Sequence, residues 1–160
     1  MSRAQILDDI FEVLEKDPDG KKFDKVSRIK CRSDLYEMDL ILDVNVDIYP
    51  IEVSEKLAVV IANTLNLDGT PGPATFDGSL ATGSRPTLMD KYDYVMHGKV
   101  FKYKDNSSSG QLKADVSRAA RLDVEVYVSF GGLLMQLTGD PKRLEELDID
   151  QNVYILMRKV

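Results

Sequence analysis

Six cationic side chains fall within twelve residues near the N-terminus, and together they have the chemistry of a phosphate-binding surface. They are Lys21, Lys22, Lys25, Arg28, Lys30 and Arg32, and Lys16 precedes them. We call these residues the basic stripe. Cations aligned on an extended backbone can neutralise successive phosphates of a single nucleic-acid strand. The stripe therefore predicts a weak, non-specific and strongly salt-dependent contact with single strands.

The alternative is that the basic stripe is a solvated strand face whose charges pair with acidic side chains. Such side chains follow at once: Glu37, Asp39, Asp43 and Asp47. They would oppose a bound phosphate, and only Phe23 and Tyr36 are nearby candidates for stacking on bases. Both interpretations predict an extended segment here. They differ in whether the cations contact phosphates of a nucleic acid or carboxylates of this chain.

Nucleophilic catalysis has few candidates in this chain. His97 is the only histidine, and no Gly-x-Ser-x-Gly motif supplies a nucleophile for it. We expect His97 to pack beside Gly98. Cys31 alternates with basic residues on the apolar side of its segment, which indicates a buried, inert thiol. We therefore predict no catalytic residue.

Two groups of carboxylates could in principle bind a metal ion. Asp17-Pro18-Asp19-Gly20 resembles the opening of a calcium loop, but lysines follow where oxygen ligands are needed, so we interpret it as a turn. Three further acids are neighbours only in sequence and predict a solvated N-terminal face: Asp8, Asp9 and Glu12. No metal or cofactor is expected.

A glycine pair lies inside an apolar run near the C-terminal end. Gly131-Gly132 lacks the strand–loop–helix context of nucleotide-binding motifs and predicts a strand corner, or two strands that meet. The run around it is too apolar to be wholly exposed. We take as a candidate subunit interface Tyr127, Phe130, Gly131, Gly132 and Leu134. Leu134 has an alternative, which is burial under the 66–90 loop.

Alternating patterns predict the strands that position these residues. From Met38 to Ile48 the even positions are apolar and the odd positions mostly acidic, as in a strand with one buried face. The segment Phe23–Arg32 alternates in the same way and should form a hairpin with it, placing basic beside acidic side chains. Ile6–Val13 suits either a short helix or an irregular strand.

The remaining patterns complete an all-β chain of about eight strands, four on each side of a long loop. The other predicted strands are Leu57–Leu65, Tyr92–Tyr103 with a possible bulge at Gly98, Leu122–Phe130, Leu133–Leu137 and Val153–Met157. One helical turn is expected after Asp140. Flexible loops are expected at about 66–90 and 104–120. Such strand spacing favours one antiparallel sandwich or barrel domain over 1–160.

Composition limits the class of protein further. The 160 residues carry a net charge of −6, which is unusual for an isolated nucleic-acid binder. No apolar run is long enough to span a membrane, and no secretory signal is visible. The single cysteine excludes an intrachain disulfide, so a cytosolic or nuclear protein is expected.

Six blocks of residues follow one another over nearly the whole chain: Asp8-Asp-Ile-Phe, Asp17-Pro-Asp-Gly-Lys-Lys-Phe-Asp-Lys-Val-Ser-Arg-Ile, Met38-Asp-Leu-Ile-Leu-Asp-Val-Asn-Val-Asp-Ile-Tyr-Pro, Tyr92-Asp-Tyr-Val-Met-His-Gly-Lys-Val, Tyr127-Val-Ser-Phe-Gly-Gly-Leu-Leu-Met-Gln-Leu-Thr-Gly-Asp and Val153-Tyr-Ile-Leu-Met-Arg-Lys. In this order they resemble the small subunit, eighth by size, that nuclear RNA polymerases share.

The resemblance implies an eight-stranded antiparallel barrel with two oligonucleotide-binding-fold-like halves. It implies a non-catalytic subunit of RNA polymerases I, II and III, docked on the largest subunit, in the nucleoplasm and nucleolus. It also points to the basic stripe for weak single-stranded DNA binding. Two other functions stay open: a free-standing single-strand-binding module, which the net acidity disfavours, and an acid–base hydrolase, for which the chain shows no constellation.

Overall fold

The described part of the chain is almost entirely antiparallel sheet. A computed structural model describes residues 5–20, 23–64, 88–105 and 123–160. Eight strands lie within these ranges: β1 (Gln5–Lys16), β2 (Val26–Ser33), β3 (Asp39–Asn45), β4 (Lys56–Ala62), β5 (Tyr94–Asp105), β6 (Val124–Phe130), β7 (Leu133–Gly139) and β8 (Asn152–Lys159). A 3-10 helix spans Leu88–Lys91, and a helix of one turn, α1, spans Pro141–Leu144.

The strands close into a barrel, which confirms the predicted fold class. Their order around the barrel is β1-β2-β3-β7-β6-β5-β8-β4, and every neighbouring pair is antiparallel. The first four strands therefore lie in the order β4-β1-β2-β3, and the last four in the order β8-β5-β6-β7. Each set is a Greek key, in which the fourth strand returns beside the first. Two seams, β3–β7 and β4–β8, join the sets.

The predicted hairpin of β2 and β3 is present, and its alternation places the core as expected. Leu40, Leu42 and Val44 face the interior and are at most 1% exposed. The prediction fails at Ile48, which is 68% exposed. The strand ends at Asn45, so the period-2 alternation no longer decides which way a later side chain points.

The N-terminal segment is a strand and not a helix. β1 pairs with β4 along most of its length and with β2 only from Phe11 onward. Its register shifts between Val13 and Glu15 on the β2 side, and between Gln5 and Leu7 on the β4 side. Between these shifts burial alternates regularly from Leu7 to Val13, and the sequence conceals the alternation because Asp9 is buried whereas Ile10 is 39% exposed.

Strand β4 is covered on both faces, as its apolar sequence indicated. Leu57 and Ile61 face the barrel interior, whereas Val60 packs outside the barrel with Tyr154 and Leu156 of β8. Met89, in the 3-10 helix, packs against this outer cluster. A second, smaller core therefore lies outside the barrel wall.

The two glycine sites have different roles from each other. Gly131 and Gly132 have φ of +65° and +104° and form the two-residue turn between β6 and β7, so two strands meet there. Gly98 is no bulge, because its pairing with Val153 is regular and the register of β5 shifts only after Val100. A Cβ at Gly98 would collide with the Ser129 carbonyl oxygen. Gly98 thus permits the close approach of β6.

The two predicted flexible loops fall mostly on residues that are not described. Residues 65–87 and 106–122 lie outside the described ranges. Of the predicted 66–90 loop, residues 88–90 belong to the 3-10 helix, and the first residues of the predicted 104–120 loop, Lys104 and Asp105, belong to β5. The one helical turn is confirmed, and Asp140 caps it by accepting a hydrogen bond from Lys142 N. Among the described residues, no helix is long and apolar enough to span a membrane.

Candidate functional site

The middle of the basic stripe lies on the outer side of β2. Ser27, Ile29 and Cys31 point into the barrel, so the residues between them point out. The outward residues are Arg28, Lys30 and Arg32. Lys25 precedes the strand and is exposed, whereas Lys21 and Lys22 lie outside the described residues.

Arg28 is held by the acidic side chain opposite it on β3. Its Nε lies 2.7 Å from Asp43 Oδ1, and its Nη2 lies 3.0 Å from Asp43 Oδ2. The hydrogen bond to Asp43 raises the pKa of Arg28 above its ordinary value, although burial acts in the opposite direction. A bidentate pair of this kind is among the stronger charged contacts in proteins. Much of the Arg28 charge is therefore compensated before any phosphate approaches.

Two other cations of the basic stripe also have carboxylate partners. Arg32 Nη1 lies 3.2 Å from Asp39 Oδ1, and Lys16 Nζ lies 3.3 Å from Glu52 Oε1. The predicted pairing of the basic stripe with acidic residues thus exists at Asp39 and Asp43. Within the described residues of the stripe, Lys25 and Lys30 are the exposed cations outside these pairs.

Strand pairing places the basic stripe on the same surface as the candidate interface. Lys30 lies opposite Ile41, Ile41 opposite Gln136, and Gln136 opposite Tyr127. Tyr127 in turn lies opposite Lys102 of β5. One row of outward side chains therefore crosses five neighbouring strands and has a lysine at each end.

Two flanking rows complete this surface, which we call the five-strand face. The upper row is Arg32, Asp39, Thr138, Glu125 and Lys104, and the lower row is Arg28, Asp43, Leu134, Ser129 and Lys99. The three rows carry six cationic and three acidic side chains, a formal excess of three positive charges. This surface is basic although the chain as a whole has a net charge of −6.

The lysines of β5 are candidate functional residues that sequence reasoning missed. Lys102 Nζ lies 5.1 Å from the centre of the Tyr127 ring, and the Phe101 ring centre lies 6.2 Å from it. Phe101 is 48% exposed. The signal in the sequence was the alternation of aromatic and basic residues from Phe101 to Lys104. Such interleaving is typical of surfaces that bind single strands through phosphate contacts and base stacking.

The candidate interface residues around the glycine turn are split between surface and core. Leu134 is 41% exposed and Tyr127 is partly exposed, whereas Phe130 is only 6% exposed and belongs to the barrel core. Gly131 and Gly132 are both exposed at the tip of the hairpin. Phe130 thus supports the turn from inside, and the other residues offer the surface. The alternative for Leu134, burial under the 66–90 loop, depends on a loop that lies mostly outside the described residues.

The remaining candidates of the sequence are structural in the described part of the chain. Burial raises the pKa of Cys31 to about 12, which keeps its thiol protonated. Burial lowers the pKa of His97, whose ring packs 4.6 Å from that of Tyr154. Asp17 accepts hydrogen bonds from Ser27 Oγ at 2.7 Å and from Arg28 N at 3.0 Å, as a turn residue does.

The prediction of a solvated acidic face was wrong for Asp9. Asp8 is exposed, but Asp9 points into the barrel and is 7% exposed. Its carboxylate accepts hydrogen bonds from Ser33 Oγ and from Ile10 N. A buried carboxylate needs such donors, and they come from the place where β1 and β2 separate. No group of three potential metal-ligating side chains occurs in the described ranges.

Comparisons with known proteins cover almost the whole chain. The family model described as RNA polymerase Rpb8 matches residues 8–159. A Dictyostelium discoideum protein named DNA-directed RNA polymerases I, II, and III subunit rpabc3 is 48% identical over 155 residues, which are 96% of each chain. An Arabidopsis thaliana protein named DNA-directed RNA polymerases II, IV and V subunit 8B is 44% identical over 99% of each chain.

A yeast relative extends the similarity to a third lineage. The Saccharomyces cerevisiae protein named DNA-directed RNA polymerases I, II, and III subunit RPABC3 is 37% identical over 96% of this chain and 97% of its own length. All these matches span the barrel from β1 to β8. These matches show that the chain belongs to the RNA polymerase Rpb8 family.

Proposed function

We propose that this chain is a non-catalytic structural subunit of nuclear DNA-directed RNA polymerases I, II and III. The observation that carries the proposal is the family match over residues 8–159, together with relatives named as subunits of these enzymes. The relatives also show that the set of enzymes varies, because the plant protein is named for polymerases II, IV and V. We assign I, II and III, with residence in nucleoplasm and nucleolus, and with docking on the largest subunit.

The surface we propose for docking is the exposed part of the β6–β7 hairpin. Tyr127 and Leu134 lie on neighbouring rows of the five-strand face, and the turn Gly131-Gly132 projects at its end. Leu134 exposes 41% of its surface in a region of mixed charge. A partly exposed tyrosine is typical of the anchors of protein interfaces, and the exposed Leu134 adds apolar area near it.

Affinity purification of the tagged chain from nuclear extract, followed by mass spectrometry, tests this function. The wild-type chain should recover the largest subunits of all three polymerases. Leu134→Asp should lower that recovery, because a carboxylate would be desolvated at the interface. Val53→Asp is the matched control, since Val53 is 49% exposed and lies outside the five-strand face. If the wild-type chain recovers no largest subunit, the proposal is wrong.

A second function, weak contact with single-stranded DNA, is favoured by the charge of the five-strand face. Its positive excess and the exposed Phe101 provide phosphate contacts and a stacking surface. Three acidic side chains within the face keep the expected affinity low. We propose that the contact uses both margins of the face, Lys30 on β2 and Lys102 on β5, and not the basic stripe alone.

Fluorescence anisotropy of a labelled oligothymidine at several salt concentrations tests this contact. Lys30→Glu and Lys102→Glu should each weaken binding and reduce the salt slope by about one. Lys56→Glu is the control, because Lys56 is exposed, pairs with Asp34 and lies on β4. Binding that is insensitive to salt would contradict a phosphate-led contact. Binding that depends on Lys30 but not on Lys102 would restrict it to the basic stripe.

Charge reversal at both margins also distinguishes between two functions, that of a polymerase subunit and that of a free-standing single-strand-binding module. A module would lose its function when oligothymidine binding is lost. A polymerase subunit with both Lys30→Glu and Lys102→Glu should still recover the largest subunits if the DNA contact is accessory. Loss of that recovery would instead make the two lysines part of the docking surface.

A further inference from the structure

The barrel has an opening where β1 and β2 separate. The β1–β2 pairing begins at Phe11 opposite Ser33, and the hydrogen bond from Asp34 N to Ile10 O, at 3.2 Å, is the last backbone hydrogen bond between the two segments. Before Ile10, β1 continues to pair with β4 on its other side as far as Gln5. One edge of β1 is therefore without a neighbouring strand among the described residues.

Backbone groups of Asp8 point toward this open edge. Val13 N donates to Glu55 O, and Val13 O accepts from Ser54 N, so Val13 directs its backbone toward the β4 side. In an antiparallel strand successive residues direct these groups to opposite sides, which gives Ile10 and Asp8 the β2 side. The Ile10 carbonyl bonds to Asp34, and its N–H donates to Asp9 Oδ1 at 2.7 Å. Within the described ranges, the N–H and C=O of Asp8 thus face the gap with no hydrogen-bonding strand opposite them.

A cleft of about 200 Å³ lies along this edge. One wall is formed by Ile6, Leu7 and Asp8 of β1. The opposite wall is formed by Tyr36 and by Arg143 of α1. Its other residues are Lys142, Glu145 and Glu146. Asp8 is exposed, so the cleft is open to solvent at the edge.

The walls of the cleft are held in place before any partner arrives. The Arg143 guanidinium carbon lies 3.5 Å from the centre of the Tyr36 ring, and Tyr36 N donates to Ser33 Oγ at 3.0 Å. The helix that carries Arg143 is anchored by Leu144, which is fully buried. A preformed cleft reduces the entropy that a partner must lose on binding.

We propose that an extended segment of a partner polypeptide lies in this cleft as an added strand and hydrogen-bonds to the N–H and C=O of Asp8. Strand addition uses backbone groups for affinity, and an edge with an adjacent cleft provides both the groups and the room. At about 3.3 Å per residue, the edge from Ile6 to Asp8 accommodates roughly three residues of the partner. The partner belongs to the polymerase assembly, so this inference rests on the proposed function.

Two substitutions at Asp8 test the inference in the full-length chain. Asp8→Ala removes the carboxylate and keeps the backbone N–H, whereas Asp8→Pro removes both. Proline is tolerated on a strand whose N–H does not serve the existing sheet, so both variants should melt at similar temperatures. Purification from nuclear extract should recover polymerase subunits with Asp8→Ala as with the wild type, and roughly five- to tenfold less with Asp8→Pro.

Hydrogen exchange on the wild-type chain gives a second measurement that needs no substitution. The amide of Asp8 should exchange rapidly in the free chain and at least about tenfold more slowly in the purified polymerase. Equal recovery of polymerase by Asp8→Pro and Asp8→Ala, or unchanged exchange at Asp8 on assembly, overturns the inference. Neither result touches the proposed function, which fails only if the wild-type chain recovers no polymerase.

Discussion

The carboxylate of Asp43 on β3 accepts a hydrogen bond at 3.0 Å from the backbone N–H of Leu134, 91 residues later at the start of β7. The backbone pairing of the two strands stops one residue earlier, at Leu42 opposite Met135. The side chain of Asp43 therefore continues the β3–β7 seam where the backbone ladder ends. The same carboxylate holds Arg28, so one acidic residue connects three neighbouring strands.

Asp43→Ala should lower the free energy of unfolding by about 1.5–3 kcal/mol, because it leaves a backbone N–H and a guanidinium without their acceptor. Arg28 is partly exposed, so this loss of stability should be smaller than for a fully buried ion pair. Urea denaturation measures the difference. Asp39→Ala is the control, since its pair with Arg32 is 41% exposed on both sides and should contribute less than about 1 kcal/mol. Equal effects of the two variants would mean that Asp43 does not support the seam.

Leu42→Ala should cost about 2–5 kcal/mol of stability, because the side chain is fully buried in the barrel core. Val44→Ala tests the same face and should also be clearly destabilising. Ile48→Ala should change stability by less than about 0.5 kcal/mol, although its position in the sequence pattern is equivalent. Thermal and urea unfolding measure all three. A small effect for both Leu42 and Val44 would show that the strand faces are inverted.

The stability of the chain should fall as the pH drops below the ordinary pKa of histidine, in part because of His97. Burial lowers the pKa of His97 from 6.5 in the folded state, so the unfolded chain binds the proton more readily. This contribution is therefore complete above pH 6.5 and is lost as the pH falls toward the folded-state pKa. The difference in unfolding free energy between wild type and His97→Phe, measured from pH 7.5 to pH 5, isolates it from the carboxylates. A difference that does not change with pH contradicts this prediction.

Cys31 should be unreactive toward thiol reagents as long as the barrel is folded. Burial raises the pKa of Cys31 to about 12, so almost no thiolate is present at pH 8. The side chain is only 2% exposed, so reagents reach it poorly. A chromogenic disulfide reagent should titrate no thiol within minutes in buffer and one thiol per chain in denaturant. Rapid reaction of the native protein would indicate that β2 opens readily.

Local alternation was sufficient to predict strands and their buried faces in β2, β3, β6 and β7. At Ile48 the alternation failed because the strand ends at Asn45, whereas at Asp9 and Gly98 the outcome depends on contacts between distant segments. Asp9 is buried because its carboxylate meets Ser33, 24 residues later, and no local pattern encodes that meeting. Gly98 is required by the approach of Ser129, not by the conformation of its own strand.

The candidate site was predictable in its parts and not in its arrangement. The cations of β2 and the apolar run around Gly131 were both visible in the sequence. That they share one face follows only from the strand order β2-β3-β7-β6-β5, which places β7 beside β3. Lys102 was overlooked for the same reason, because its significance comes from lying opposite Tyr127.

Corresponding strands of the two Greek keys pair at both seams of the barrel. The third strand of one key lies against the third strand of the other, and the fourth lies against the fourth. This is the self-complementary contact that a twofold axis produces between identical subunits. The barrel therefore has, within one polypeptide, the strand arrangement of a symmetric dimer. Because its two Greek keys differ in sequence, each key presents its own surface chemistry.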